Sequence, residues 1–231
     1  PAQRPEHTMI YDPVRDRVVT VGEDSEVWTL SLAGVPTWAQ VTPTGTPPAA
    51  WGPVAMYDPA RDRMLVFALP GGVWELSLSG TPAWTELVTT GTPPPGPYGF
   101  TAIHDPVRDR AVIFGGDEDY QGNAWSLSLA GNPAWTELAA MGTAPYGCVW
   151  HTAIYDPLQD RMVVFGGSIW GVYSQHKLLA LSLSGSPEWT ELVPAGRLPQ
   201  TRAAHAAIYD PVRARMVIHG GNNMTNRTED I

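Results

Sequence analysis

The segment Tyr155-Asp-Pro-Leu-Gln-Asp-Arg161 decides the fold, because close copies of it occur five times along the chain. The other four copies are Tyr11–Arg17, Tyr57–Arg63, His104–Arg110 and Tyr209–Arg215. Successive Asp-Pro pairs are separated by 46, 47, 51 and 54 residues. A tryptophan recurs in step with them, at Trp38, Trp84, Trp135 and Trp189. Two markers that keep the same spacing identify a structural repeat.

Each repeat predicts four short strands. The first ends at the Asp-Pro pair, as in His151–Tyr155, and the second follows the arginine, as in Met162–Phe165. Residues alternate between apolar and polar in Val73–Leu78, which is typical of a third strand with two different faces. The fourth strand is of the Trp84–Leu87 type. Between the first two strands, proline presets φ, and the aspartates are expected to accept hydrogen bonds from backbone N–H groups of a hairpin.

Four-stranded repeats of this length, with Gly-Gly after the second strand and tryptophan opening the fourth, resemble kelch repeats. Three repeats have the glycine pair, and the first two differ there: Gly115-Gly116, Gly166-Gly167 and Gly220-Gly221, against Gly22-Glu23 and Ala68-Leu69. The resemblance covers essentially the whole chain, with a more distant similarity to the galactose oxidase propeller. It implies an all-β β-propeller of four-stranded blades, expected at residues 7–41, 53–88, 100–139, 151–193 and 205–231.

The fifth repeat is incomplete. It supplies two strands and reaches Glu229–Ile231 one residue before an expected third strand. Because propellers avoid free sheet edges by closing the ring, about four and a half blades indicate a segment of a longer protein. The resemblance implies six or seven blades in that protein. In the alternative, other chains supply the missing strands.

The composition excludes several classes of function. A net charge of −9 and a pI near 5.0 argue against nucleic acid as a partner, since phosphate binding needs clustered basic residues. No run of 18 apolar residues exists, so membrane insertion is not expected. Cys148 is the single cysteine, which excludes an intramolecular disulfide. Together with one lysine, Lys177, these features fit a bacterial exported protein, extracellular or periplasmic.

The loops that differ between repeats are the expected binding surface, because variable loops on a rigid scaffold commonly carry function. These loops contain aromatic and polar residues typical of recognition surfaces. The candidates are Trp51, Tyr98, Phe100, Asp119, Tyr120, Tyr146, Trp150, Trp170, Tyr173, His176 and Arg202. In the alternative, some of these rings only pack between blades or fill the mouth of the central channel.

Three histidines, His7, His151 and His205, share one position four residues before the tyrosine of their repeats. Imidazole is a common metal ligand, but the spacing Arg202 to His205 resembles the ordinary kelch framework, so a structural role is expected. Two acidic loops, Glu23–Glu26 and Asp117–Asp119, lack the spacing of a calcium loop and are expected to carry solvated charge.

The kelch resemblance most often implies a non-catalytic recognition or scaffold module, here one that binds a protein segment or a glycan without a cofactor. An enzyme is the first alternative. A galactose oxidase-like copper site would have to include Cys148, near Tyr146 and His151, and a sialic acid mutarotase-like activity would use Arg202 and Asp119. The second alternative is a purely structural domain of a larger secreted protein.

Overall fold

The computed structural model describes residues 7–22, 24–49, 52–69, 72–96, 98–116, 123–145, 149–169, 173–174 and 177–222. Within these ranges the regular secondary structure is β-strand, which confirms the all-β prediction. A search of the same residues for a helix long and apolar enough to cross a membrane finds none. The chain divides into two compact units, which are described separately.

Unit 1 comprises Pro1–Thr90 and Gly131–Pro133 and contains the first two blades. Each blade is a four-stranded antiparallel sheet in which strands that follow one another in sequence are paired. Nine buried apolar residues, among them Met64 and Leu76, form one core cluster with members from both blades. The strands are β1 (Thr8–Asp12), β2 (Arg17–Val21), β3 (Val27–Ser31), β4 (Thr37–Val41), β5 (Val54–Asp58), β6 (Arg63–Phe67), β7 (Val73–Ser77) and β8 (Trp84–Glu86).

Unit 2 comprises Gly91–Ala130 and Ala134–Ile231, with two four-stranded blades and the first hairpin of a fifth. The third blade consists of β9 (Thr101–Asp105), β10 (Arg110–Phe114), β11 (Ala124–Ser128) and β12 (Trp135–Leu138). The remaining strands are β13 (Met141–Gly142), β14 (Thr152–Asp156), β15 (Arg161–Phe165), β16 (Ser168–Ile169), β17 (Tyr173–Ser174), β18 (Leu178–Ser182), β19 (Glu188–Glu191), β20 (Ala206–Asp210) and β21 (Arg215–His219). The fourth blade pairs in the order β14, β15, β18, β19, and β16 pairs with β17 inside its longest connection.

Every first hairpin is organised by the aspartate of its Asp-Pro pair. Between β9 and β10, Oδ1 of Asp105 accepts hydrogen bonds from the backbone N–H groups of Val107 (3.1 Å) and Arg108 (3.2 Å), and Oδ2 accepts one from Nε of Arg110 (2.8 Å). This confirms the predicted capping role. The residue before the final arginine has a left-handed backbone, with φ of 46° to 49°, in all five hairpins: Asp16, Asp62, Asp109, Asp160 and Ala214.

The tryptophan that opens a fourth strand is covered by the segment that leaves the preceding blade. In unit 1, the backbone N–H of Trp84 donates to the carbonyl of Thr44 at 2.8 Å. A Cβ on the next residue, Gly45, would lie 2.3 Å from the carbonyl oxygen of Trp84, so this close approach requires glycine. Trp84 is 5% exposed, whereas Trp38, its equivalent in the first blade, is 42% exposed.

The same arrangement recurs in unit 2. There β13 pairs in parallel with β19, and a Cβ on Gly142 would lie 2.5 Å from the carbonyl oxygen of Trp189. Gly91 approaches Trp135 in the same way, at 2.4 Å. Gly196 occupies the equivalent position after β19, also with positive φ, but a Cβ there would meet nothing within 4 Å among the described residues.

Candidate functional site

The antiparallel order of the strands gives each blade two different ends. In each blade, the turn end consists of the Asp-Pro hairpin and the turn between the third and fourth strands. The loop end of each blade consists of the segment that enters its first strand and the connection between its second and third strands. In unit 2 the described parts of the loop end are residues 98–100, 115–116, 149–151, 166–169, 202–205 and 220–222.

At the turn end, ion pairs link neighbouring blades. In unit 2, Nη2 of Arg108 lies 2.6 Å from Oδ2 of Asp160, and Arg15 makes the equivalent contact with Asp62 in unit 1. Each arginine lowers the pKa of its partner carboxyl group, mainly through these hydrogen bonds. Burial, together with a hydrogen bond to Asp160, raises the pKa of Tyr155 to about 12. The phenol and the guanidinium group therefore share one carboxylate, which is an arrangement for holding blades together.

The joint between the fourth and fifth blades lacks this ion pair at both of its ends. The position of Arg108 is occupied by Gln159 in the fourth blade, and the position of Asp160 is occupied by Ala214 in the fifth. Loss of only one partner would leave a charged group unpaired. The two replacements fall on both partners of one pair, as expected if the ion pair serves to join neighbouring blades.

At the loop end, one backbone conformation recurs two residues before each of four first strands. The φ values are 58° at Gly52, 67° at Gly99, 55° at Trp150 and 53° at Ala204. In unit 2 these residues are hydrogen-bonded in series: Trp150 N–H donates to the Gly99 carbonyl at 2.9 Å, and Ala204 N–H donates to the Trp150 carbonyl at 2.8 Å. The linkage between blades fixes the conformation, whichever side chain stands there.

Trp150 is the exceptional member of this series. A left-handed backbone costs an L-residue about 1–2 kcal/mol, and for a bulky residue it is a true outlier. Trp150 is nevertheless 45% exposed, so much of its surface remains accessible to a partner. Tyr98, which directly precedes Gly99, is 46% exposed. The two exposed aromatic residues thus start from hydrogen-bonded neighbouring segments, and they are named here the aromatic pair.

Two other predicted contact residues are buried, which corrects the expectation that they face a ligand. Phe100 is 4% exposed, and a Cβ on Gly116 would lie 2.9 Å from the Cβ of Phe100. Phe100 therefore packs within its own blade. Arg202 is 1% exposed. Its Nε donates to the Gln200 carbonyl (3.1 Å) and its Nη1 to the Gly220 carbonyl (3.0 Å), so it ties loop backbone together.

The histidines occupy structural positions in unit 2. Nε2 of His151 lies 2.8 Å from Oγ1 of Thr101, and Nε2 of His205 lies 2.7 Å from Oγ1 of Thr152, each threonine belonging to the preceding blade. Burial, reinforced by the charge of Arg202, lowers the pKa of His205 to about 4. His205 is therefore neutral near pH 7 and serves as a hydrogen-bonding bridge between blades. In unit 1, His7 is exposed.

Several predicted residues lie outside the described residues: Trp51, Asp119, Tyr120, Tyr146, Cys148, Trp170 and His176. Tyr173 lies in β17, of which only the backbone is described. The series of left-handed residues was not found from the sequence, because glycine, tryptophan and alanine share no chemical signal. The Gly-Gly pair is the sequence signal that does locate the loop end, because its second glycine lies close to the residue that enters the first strand.

A family model for the KLHDC2/KLHL20/DRC7 kelch-repeats domain matches residues 70–231, more than half of the chain. The chain belongs to the kelch-repeat family. Its four-stranded sheets are therefore kelch blades, and the propeller fold implied by the repeats is confirmed. A comparison with curated protein sequences gives no match.

Solved structures agree with the kelch assignment. YjhT has 15% sequence identity and a TM-score of 0.71, over 96% of this chain and 73% of YjhT. A fungal alcohol oxidase of the AA5 family in complex with copper has 14% identity and a TM-score of 0.63, over 95% of this chain and 47% of the oxidase. RAG in complex with one melted and one unmelted RSS has 15% identity and a TM-score of 0.59, over 89% of this chain and 71% of that one. Identities this low show the shared fold alone.

Proposed function

We propose that this kelch chain is a non-catalytic recognition and scaffold module that binds a protein segment or a glycan through its loop end. Kelch domains generally act as protein-binding or scaffold modules, and the family assignment supports that class. The observation that carries the proposal is Trp150, a strained and exposed tryptophan where other blades have glycine or alanine. Strain retained at an exposed position is typical of functional sites.

The aromatic pair suits recognition because tyrosine and tryptophan supply a large, rigid contact area at small cost in side-chain entropy. Gly99 positions it: a Cβ there would lie 2.7 Å from the Trp150 nitrogen and 2.8 Å from the Val149 Cβ. The backbone beneath the two aromatic residues is thus closely packed, while the side chains remain accessible. A rigid base below exposed rings is a preorganised binding surface.

We expect Trp150→Gly to separate folding from binding. Glycine relieves a left-handed strain of about 1–2 kcal/mol, but it adds about 0.5–1 kcal/mol of unfolded-state entropy and loses the packing of the covered part of the ring. The free energy of unfolding should therefore fall by no more than about 2 kcal/mol. Binding should fall at least tenfold, because the indole surface is lost. Urea unfolding gives the first quantity. Titration of ligands selected from a displayed random dodecapeptide library and a glycan array gives the second.

Ala204→Gly is the matched control, because Ala204 has the same left-handed backbone but no aromatic side chain. It should leave the free energy of unfolding level or slightly raised and leave binding unchanged. The proposal is wrong if Trp150→Gly binds the selected ligands as wild type does. It is also wrong if Trp150→Gly loses several kcal/mol of stability, since Trp150 would then be a packing residue.

A further inference from the structure

A cavity of about 420 Å³ lies between the fourth blade and the fifth hairpin in unit 2. Cavities of this size in otherwise close-packed proteins are candidate binding sites. Its apolar lining comes from the fourth blade, the segment that leaves it and the fifth hairpin: Ile154, Val163, Leu178, Leu192, Pro194 and Met216. The nature of the ligand follows from a comparison with the joint one blade earlier.

The equivalent space between the third and fourth blades is filled. All six lining residues have counterparts there that belong to one core cluster or pack against it: Ile103, Val112, Ala124, Leu138, Ala140 and Met162. The same cluster contains Leu179 and Leu181 of β18 and Trp189 of β19. The ring of Trp189 packs on Phe114, with centroids 4.7 Å apart. At this joint, the third and fourth strands of a blade therefore fill the space that is a cavity beside the fifth hairpin.

Three further contrasts between the two joints indicate the same missing cover. Within the described residues β21 pairs only with β20, whereas its counterpart β15 pairs with both β14 and β18. Gly142 lies against Trp189, but a Cβ on its counterpart Gly196 would meet nothing within 4 Å among the described residues. Met162 is fully buried, whereas Met216 is only partly buried. The cavity, the strand edge and Gly196 together fit two added strands, of which the second begins with tryptophan.

We propose that this cavity binds a β-hairpin of a partner polypeptide. The first strand of the hairpin pairs with the edge of β21 that faces away from β20, and its second strand begins with a tryptophan that lies against the segment around Gly196. Such strand addition gains affinity from main-chain hydrogen bonds and specificity from pockets for alternate side chains.

The partner is a different polypeptide rather than a second copy of this chain. Every third and fourth strand among the described residues is already paired within its own blade, so a second copy has no such hairpin to spare. Neither residue of the aromatic pair lines the cavity, so this proposal stands apart from the proposed function.

The probe is a synthetic peptide with the sequence of residues 177–193, because it contains the two strands that fill the equivalent space in the fourth blade. In isothermal titration calorimetry it should bind saturably, with one peptide per chain. Hydrogen exchange of the β21 amides should slow when the peptide is bound. The same peptide with Trp189→Ala should bind at least tenfold more weakly, because the ring that fills the cavity is lost.

Met216→Glu tests the cavity from the side of the chain. It puts a carboxylate among apolar residues and should abolish peptide binding. Pro194→Glu does the same from an exposed position, so the cavity is still tested if Met216→Glu fails to fold. Val212→Glu is the matched control, because Val212 is 85% exposed on the same hairpin and lies outside the cavity lining. This variant should bind the peptide as wild type does.

The proposal is overturned if the peptide does not bind, or if the Trp189→Ala peptide binds equally well. Binding that persists in both Met216→Glu and Pro194→Glu also overturns it, because the peptide then lies elsewhere. Self-association of the chain in analytical ultracentrifugation, abolished by either of these variants, would show that a second copy fills the cavity and would overturn the assignment of a different partner.

Discussion

Gly142→Ala is expected to destabilise unit 2 by about 3 kcal/mol. The new Cβ would lie 2.5 Å from the carbonyl oxygen of Trp189, a backbone atom that cannot move without displacing β19. A forced shift of packed backbone costs about 1–3 kcal/mol, and alanine at a left-handed position costs about 1–2 kcal/mol more. Urea unfolding followed by tryptophan fluorescence should show a lower transition midpoint, since Trp189 is 4% exposed in the folded chain.

Gly196→Ala is the matched control for this prediction. Gly196 has the same repeat position and a φ of +90°, but a Cβ there meets nothing within 4 Å among the described residues. Only the conformational cost of about 1–2 kcal/mol remains. Equal losses for Gly142→Ala and Gly196→Ala would show that the contact with Trp189 contributes nothing. The explanation of why glycine follows each fourth strand would then be wrong.

The second large effect is expected for Asp105→Ala, at about 3 kcal/mol. Asp105 is fully buried and accepts hydrogen bonds from two backbone N–H groups and from the guanidinium groups of Arg108 and Arg110. Removing a buried partner of an ion pair typically costs about 3–5 kcal/mol, and the lower figure applies because Arg108 also contacts Asp160. Denaturant unfolding and the loss of protection of the Val107 and Arg108 amides against hydrogen exchange should both report it.

Asp210→Ala provides the comparison, because the fifth hairpin has the same bonds in a more exposed setting. The side chains of Arg213 and Arg215 are 64% and 58% exposed, so water can solvate them once the carboxylate is removed. We expect a loss of about 1 kcal/mol, mostly from the turn. Asp105→Asn, which keeps an acceptor for the turn, should fall between the two alanine variants. An Asp210→Ala loss as large as that of Asp105→Ala would contradict the role assigned to burial.

The sequence predicted the blades well because their signals are local. The Asp-Pro turn, the alternation in Val73–Leu78 and the tryptophan at the start of each fourth strand each fix a short element by nearby bonds. The glycine of the covering segment, at Gly45, Gly91 and Gly142, is also visible in the sequence. The reason for it is not visible, because it depends on the distance to a tryptophan 39 to 47 residues further along.

The site was harder to predict, because exposure and pairing between blades are not local. Tyr98 and Phe100 are two residues apart in one loop, yet one is half exposed and the other is buried beneath Gly116. In the same way, Gln159 and Ala214 look like unrelated departures from the repeat. Only the contact of Arg108 with Asp160 shows that they are the two ends of one missing ion pair.

Recognition at the loop end is tested most directly by comparing two double variants of unit 2, each of which removes two exposed apolar side chains. Tyr98→Ala with Trp150→Ala alters the loop end, and Val107→Ala with Leu158→Ala alters the turn end, where these residues are about two-thirds exposed. Each protein is titrated with the peptides or glycans that the wild type selects. We expect the loop-end variant to lose binding and the turn-end variant to bind as wild type does; loss of binding only in the turn-end variant would contradict recognition at the loop end.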